Sequence, residues 1–304
     1  MELRVLRYFL AVAREGNISR AAEYVNTTQP NLSRQIRNLE DEIGKPLFER
    51  GNRRLTLTEA GVMLRKRAEE IVELCDKTSN ELTIRPDDEI GGDVHIGGGE
   101  SHVFRLIAKA AKLVSRRYPK INFHFYSGDT CDVTEKLDSG LIDFGLLIEP
   151  ACLARYDYVR LPETDVWGVL MKKDSPLAAK PSIGARDLKG LPLIVSKHSK
   201  NESILDDFLT QTSESPEIAA TYNLIYNASL MVEEGLGYAI GLDRLINTTG
   251  DSDLCFRPLS PRLESPLDLA WKKYRALPRA AEVFLNTLRD CIAESSSNDP
   301  VATE

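Results

Sequence analysis

The chain has 304 residues, 42% hydrophobic and 28% charged, an ordinary globular composition with room for two or three domains that each bury a core. Its net charge of −7 argues against a nucleic-acid partner for the chain as a whole, and no apolar run reaches the ~20 residues of a membrane span. Split by region, residues 1–86 hold 15 Lys and Arg against 13 Asp and Glu, net +2, and the remainder 24 against 33, net −9, so only the first segment can carry a basic surface.

The opening MELRVLRYFLAVAREGN carries charges through its apolar part, unlike a signal peptide, so the expected location is the cytoplasm. Leu6, Phe9, Leu10 and Ala13 set a first helix, which Gly16 ends because glycine takes a left-handed cap without a Cβ penalty. A second helix is expected from Ser19, with small Ala21 and Ala22 allowing close packing, and VNTT, 25–28, is a polar turn. Within TTQPNLSRQIRNLE, 27–40, and just beyond it, Leu32, Ile36, Leu39 and Ile43 recur at the spacing of one buried helical stripe. Thr28 suits the N-cap, and Pro30 falls in the first turn, where the missing N–H had no intrahelical partner to lose. The opposite face carries Pro30, Arg34, Arg37 and Asn38, flanked by Asn31 and Ser33, with Gln29 at the exposed end. A solvated surface would look the same, and the neighbouring elements decide between the two readings. Gly44, Lys45 and Pro46 stop the helix; LFER, the turn residues Gly51 and Asn52, and RRLTL then read as a hairpin with Arg50, Arg53 and Arg54 at its tip. Helix-turn-helix order followed by a basic hairpin is a winged helix-turn-helix, whose third helix contacts base edges in the major groove while wing arginines approach phosphates or the minor groove.

From Thr58, a second N-cap candidate, the chain is helix-forming up to Pro86. Leu64, Ala68, Ile71, Cys75, Thr78 and Leu82 alternate at four and three residues, the pattern of a coiled-coil seam, so this helix is expected to pair with a copy of itself; packing on its own domain is the other reading. RPDDEIGG, 85–92, is a hinge. Strands follow near 93–98, 121–127, 142–148, 166–172, 192–197, 218–222, 237–242, 254–258 and 267–271, alternating with helices near 102–118, 131–139, 202–212, 227–235 and 278–293. Such alternation implies α/β layers with a mostly parallel sheet, crossed into a second subdomain between Leu161 and Val166. The expected boundaries are 1–58 for the winged helix, 59–89 for linker helix and hinge, and 90–294 for the α/β part, with a disordered tail at 295–304. Within the α/β part, subdomain I takes 90–163 and 266–294, and subdomain II takes 164–265.

Residues 1–61 closely resemble the DNA-binding domain of LysR-type transcriptional regulators, through FLAVAREGNISRAAEYVNTTQPNLSRQIRNLEDEIGKPLFER followed by LTLTEAG. The pattern of YPKINFHFYSG, LDSGLIDFGLLI and EEGLGYAIG extends the likeness over nearly the whole chain. The resemblance implies an α/β effector domain of two subdomains, like periplasmic solute-binding proteins, preceded by an N-terminal winged helix-turn-helix and a long linker helix. It implies base or backbone contacts to double-stranded DNA for Gln29, Pro30, Ser33 and Arg34, with Thr28, Asn31, Arg37 and Asn38 added from the helix face, and wing contacts for Arg50, Arg53 and Arg54. It further implies a homodimer or homotetramer, RNA polymerase as a partner, no membrane, and control by a small-molecule effector.

The effector cleft is expected where strands end and helices begin, because free N–H groups there favour an anionic group. GGGESH supplies Gly99, Glu100, Ser101 and His102; SGDT supplies Ser127 and Thr130; YNAS, ahead of its helix, supplies Asn227; and Ser196 and His198 come from the other subdomain. Capping without a ligand is the alternative for each hydroxyl. Glu100, if it faces the cleft, asks for a hydroxyl or amine on the effector. His95, His102, His124 and His198 show no metal-ligand spacing, and neither a nucleophile elbow nor a complete dinucleotide fingerprint occurs, so no catalytic residue, metal or cofactor is expected. Cys75, Cys131, Cys152, Cys255 and Cys291 are scattered without CxxC spacing; buried hydrophobes and redox sensors both fit them. The rival function is a solute-binding protein without a regulatory role.

Overall fold

In the computed structural model, which describes residues 1–50, 55–83, 90–149, 151–196, 204–209 and 217–297, the chain divides into two units, Met1–Pro86 and Asp87–Glu304. The first is built on α1 (Leu3–Glu15), α2 (Ile18–Tyr24) and α3 (Gln29–Ile43), with Gly16 and Gly44 in the left-handed conformation that ends α1 and α3. A hairpin of β1 (Phe48–Arg50) and β2 (Leu55–Leu57) follows, then α4 (Glu59–Thr83). Leu32, Ile36 and Leu39 are buried with Leu6, Phe9, Val12, Ala21 and Ala22, as their helical spacing requires, while Ile43 at the end of the stripe is exposed. The second helix starts one residue earlier than expected. Its cap is Asn17, whose side chain accepts from the Ser19 and Arg20 N–H groups at 2.9 and 3.1 Å.

Two polar devices hold the wing against the helices. The Glu40 carboxylate on α3 accepts from the N–H groups of Leu47 (2.8 Å) and Phe48 (3.2 Å), pairing backbone that the hairpin leaves open. Thr58 donates to Pro46 O at 2.7 Å and accepts from Gly61 N–H at 3.0 Å, which makes it the N-cap read from the sequence. A Cβ on Gly61 would stand 2.2 Å from the Leu47 carbonyl oxygen, so the chain can pass there only as glycine.

The second unit is one ten-stranded sheet in the order β4-β3-β5-β12-β6-β10-β8-β9, with β11 and β7 attached beside β6. Its elements are β3 (Gly91–Gly98), α5 (Phe104–Arg117), β4 (Lys120–Ser127), α6 (Thr130–Ser139), β5 (Phe144–Ile148), β6 (Tyr156–Lys172), β7 (Ile183–Gly184), β8 (Pro192–Ser196), α7 (Ile204–Leu209), β9 (Glu217–Tyr222), α8 (Ile225–Glu233), β10 (Tyr238–Leu242), β11 (Leu254–Ser260), β12 (Glu264–Lys272) and α9 (Arg279–Ser297). Helix α9 thus runs through 295–297, expected as tail; 298–304 lie outside the described residues.

The expectation of a mostly parallel sheet needs correcting. The two ends are parallel, β5-β3-β4 and β10-β8-β9, whereas β5-β12-β6-β10 through the middle is antiparallel. The reason is β6, which begins at Tyr156 rather than near 166: it pairs with β12 as far as Val166 and from Trp167 onward with β10 and β11. One strand therefore serves both halves of the sheet. Pro162, which removes a ladder donor, falls in a bulge where residues 161–163 face only Leu267, between the pairs Arg160↔Asp268 and Thr164↔Pro266. The halves keep separate cores, one around Ile96, Ile107, Phe144, Leu269 and Phe284, the other around Val169, Leu193, Phe208 and Ile240.

If Glu40 pins the wing, Glu40→Ala should leave two backbone donors unpaired and lower the stability of the first unit by about 1–3 kcal/mol. Hydrogen exchange should then quicken at Leu47 and Phe48 and stay unchanged in the ten-stranded sheet; unaltered exchange at those two amides would contradict the assignment.

Candidate functional site

On α3 the exposed residues are Thr28, Gln29, Pro30, Arg34, Arg37 and Asn38, with Asn31 and Ser33 half-buried at the margins. The Arg34 guanidinium donates to Asn31 Oδ1 at 3.2 Å, and Asn31 Nδ2 donates to Thr27 Oγ1 at 3.0 Å, so the first turn is organised before any partner arrives. Thr28 occupies the N-cap position with extended backbone (φ −87°, ψ 145°), yet its side chain makes no capping bond. The first-turn N–H groups of α3 accordingly remain available, unlike those of α2 and α4. Charge is graded along the helix, with Arg34 and Arg37 toward its start and exposed Asp41 and Glu42 toward its end. The arrangement suits insertion of the N-terminal half into a polyanionic groove, since the helix dipole adds positive potential at that same end. Strand β1 carries Arg50 to the hairpin turn; its side chain, Arg53 and Arg54 lie outside the described residues.

The six seam residues of α4 do not share one environment. Leu64 and Ala68 pack, with Val72, into the core of the winged helix, and Ala68 is 0% exposed, so these two face their own domain rather than a second copy. Ile71 is 42% exposed, and Val62 and Met63 at the start of the helix are exposed too. Cys75 is half-buried, Thr78 is exposed and bonded to the Leu74 carbonyl, and the Leu82 side chain lies outside the described residues. The 4-3 spacing marks a buried stripe correctly but does not say which chain buries it.

In the second unit the expected cleft residues gather after β3. Ser101 is 7% exposed and its hydroxyl oxygen accepts from Val103 N–H at 3.0 Å. Glu100 reaches the other half of the sheet, where its carboxylate accepts from Ile225 N–H, the first residue of α8, at 2.7 Å. Thr130 and Ser127 are exposed, and the cap of α6 is Asp129, which accepts from Cys131 and Asp132 N–H at 2.8 and 3.0 Å. Asn227 sits inside the first turn of α8 rather than ahead of the helix, and is exposed. Gly99 and His102 flank the turn into α5, Ser196 ends β8, and His198 lies outside the described residues. At each of these three helix starts, then, an oxygen of the chain itself already takes up one or two of the donors expected to meet an anion.

What the sequence reading missed is Asp165. It stands on β6 just before that strand changes partner, paired in the ladder with Ser265, and is 0% exposed. Neither carboxylate oxygen has a hydrogen-bond partner at good geometry. Burial pushes its pKa up to about 6; the nearby Ser101 hydroxyl opposes the shift, Asp243 adds to it, and Arg244 and the His102 N–H oppose it. Around it, Trp167 Nε1 donates to Ser265 Oγ at 2.9 Å and Asp243 Oδ1 accepts from Val166 N–H at 3.2 Å. Arg244, with its backbone at φ 59°, is held by Asp243 at 3.1 Å and Glu163 at 3.5 Å. A lone acid in LPETDVWG gives no period or motif to flag it.

Two of the described histidines meet on the sheet. His95 and His124 stack at 4.7 Å across β3 and β4, with Asp93 3.2 Å from His124 and Asp143 accepting from the His95 backbone N–H at 2.8 Å. Among the described residues no group of three or more His, Cys, Asp or Glu has a metal-holding arrangement, and no helix is long and apolar enough to cross a membrane.

Comparison with known proteins adds the following. A family model for the bacterial regulatory helix-turn-helix protein, lysR family, matches residues 3–62, and one for the LysR substrate binding domain matches residues 87–292. The chain is 32% identical over 297 residues to the Hca operon transcriptional activator HcaR of Escherichia coli (strain K12), covering 96% of each chain. It is 27% identical over 289 residues to the uncharacterized HTH-type transcriptional regulator YfeR of Shigella flexneri, covering 95% of this chain and 93% of the relative. In fold it is similar to the LysR family transcriptional regulator CbnR, with TM-score 0.75, 20% identity and coverage of 96% of this chain and 99% of that one. For full-length CbnR complexed with its target DNA the TM-score is 0.73 at 20% identity, covering 96% and 100%.

Asp165 carries a stability prediction of definite sign. Its folded pKa lies above the ordinary 3.8, so between the two values the folded chain keeps a proton that the unfolded chain has lost, and stability falls as pH rises through that window. Asp165→Asn should raise stability by on the order of 2 kcal/mol near neutral pH, an advantage that shrinks toward about pH 4. Melting curves recorded against pH read this directly; a pH-independent difference would mean that the carboxylate is not a buried anion.

Proposed function

The chain belongs to the LysR family of transcriptional regulators, and from that premise we propose how its two sites divide the work. It is a DNA-binding transcription regulator with an effector-binding domain. The N-terminal half of α3 enters the major groove, where Gln29, Pro30, Ser33 and Arg34 meet bases or backbone and Thr28, Asn31, Arg37 and Asn38 border them. The observation that carries this reading is the uncapped, arginine-flanked start of α3, which leaves backbone donors and guanidinium groups facing outward together. Arg50, Arg53 and Arg54 supply electrostatic contact from the wing.

The functional unit is a homo-oligomer, at least a dimer, joined through the outer side of α4 at Ile71 and its neighbours. A small molecule in the cleft around Ser101 changes how the two halves of the sheet close, and with it the spacing and bend imposed on the DNA. The protein works in the cytoplasm, alongside RNA polymerase, and catalyses no reaction of its own.

Mobility shift with the gene's own upstream DNA tests the reading. Arg34→Ala should cost about 1–3 kcal/mol and relax discrimination between operator and random DNA, whereas Arg53→Ala should weaken binding to both and flatten the salt dependence. Identical behaviour of the two variants would refute the division between base reading and wing electrostatics. For assembly, Ile71→Asp should reduce the mass seen by sedimentation with the winged helix still folded, while Ala68→Asp should unfold the winged helix, because it buries a charge inside one chain. The reverse pattern would place Ala68, not Ile71, between copies.

A further inference from the structure

The polar groups of the cleft are mismatched to the anion they were expected to bind. Each of three helix starts has donors taken up internally: Val103 N–H by Ser101, Cys131 and Asp132 N–H by Asp129, and Ile225 N–H by Glu100. The nearby cation is consumed as well, since Arg244 is held between Asp243 and Glu163. The group left without a well-formed partner is an acceptor, the Asp165 carboxylate, 0% exposed, with the Ser101 hydroxyl and the His102 N–H as the donors acting on it. Asp243 adds negative charge beside Asp165, and Arg244 is the positive side chain that acts on it. An ionised carboxylate buried without compensation costs several kcal/mol, and a cationic donor that reaches it recovers that cost as binding energy.

We propose that Asp165 anchors a cationic, hydrogen-bond-donating nitrogen, such as a primary ammonium, on the effector, with the Ser101 hydroxyl beside it as a second contact. The assignment rests on the reading of this cleft as the effector site. It gives the Asp165 carboxylate a full partner and puts positive charge beside two acids, Asp165 and Asp243. Its sign of pH dependence is fixed: affinity for the amine falls as pH drops through about 6, where Asp165 takes up a proton.

The full-length protein is titrated calorimetrically, and its melting transition followed, with small amines (ethylamine, ethanolamine, benzylamine) and with carboxylates of like size (acetate, glycolate, benzoate). The expected result is that an amine binds and stabilises while its matched acid does not. Asp165→Asn, which keeps the shape of the side chain, should weaken the amine at least about tenfold, and Asp165→Glu should recover part of the loss. Operator retardation by the wild type is recorded in parallel. Carboxylates binding in place of amines, or amines binding Asp165→Asn as tightly as wild type, would overturn the amine assignment and leave the effector-cleft reading intact. Binding by neither class, with operator still retarded, would overturn both statements about the cleft. Failure to retard the operator would refute the regulator reading instead.

Discussion

A backbone N–H at the start of a helix has no partner within that helix, and four helices of this chain recruit a side chain from elsewhere to supply one. Asn17 closes α2, Thr58 closes α4, Asp129 closes α6, and Glu100 closes α8 from across the cleft. The start of α3 has no such side chain, although Thr28 is in position to provide one. An end left open on a surface that also presents Arg34 and Arg37 is matched to phosphate, while ends already closed contribute little to anion binding. The reading of α3 as the DNA-contacting helix and the proposal of a cationic effector both start from this contrast.

Glu100 joins elements from the two halves of the sheet by a single charged hydrogen bond, and its charge helps raise the pKa of Tyr222, whose hydroxyl is already buried and bonded to the Ile240 carbonyl. A ligand that attracts Glu100 would compete with α8 for it.

Much of the winged helix was legible because its signals are local. Spacing placed Leu32, Ile36 and Leu39 inside, and Gly16 and Gly44 ended helices where their left-handed backbone puts them. The α4 stripe was legible as a stripe and not as an address, since Ala68 meets α1 and its own core through the spacing that would serve a second copy. Strand β6 was read at half its length because Pro162, Glu163 and the charged residues before them break the apolar run, and only the bulge opposite Leu267 lets such a segment stay in the ladder. Asp165 could not be found from spacing at all. Its significance comes from Ser265 across the ladder, Ser101 from a distant loop and Asp243 after β10, residues that only the fold brings together.

Because β6 is continuous through the point where it changes partners, the two halves are geared to one backbone whose side chains alternate between faces at every residue. Adding or deleting a single residue there would turn everything beyond it over, sending Val169 and Met171 out of their core and Gly168 and Leu170 into it.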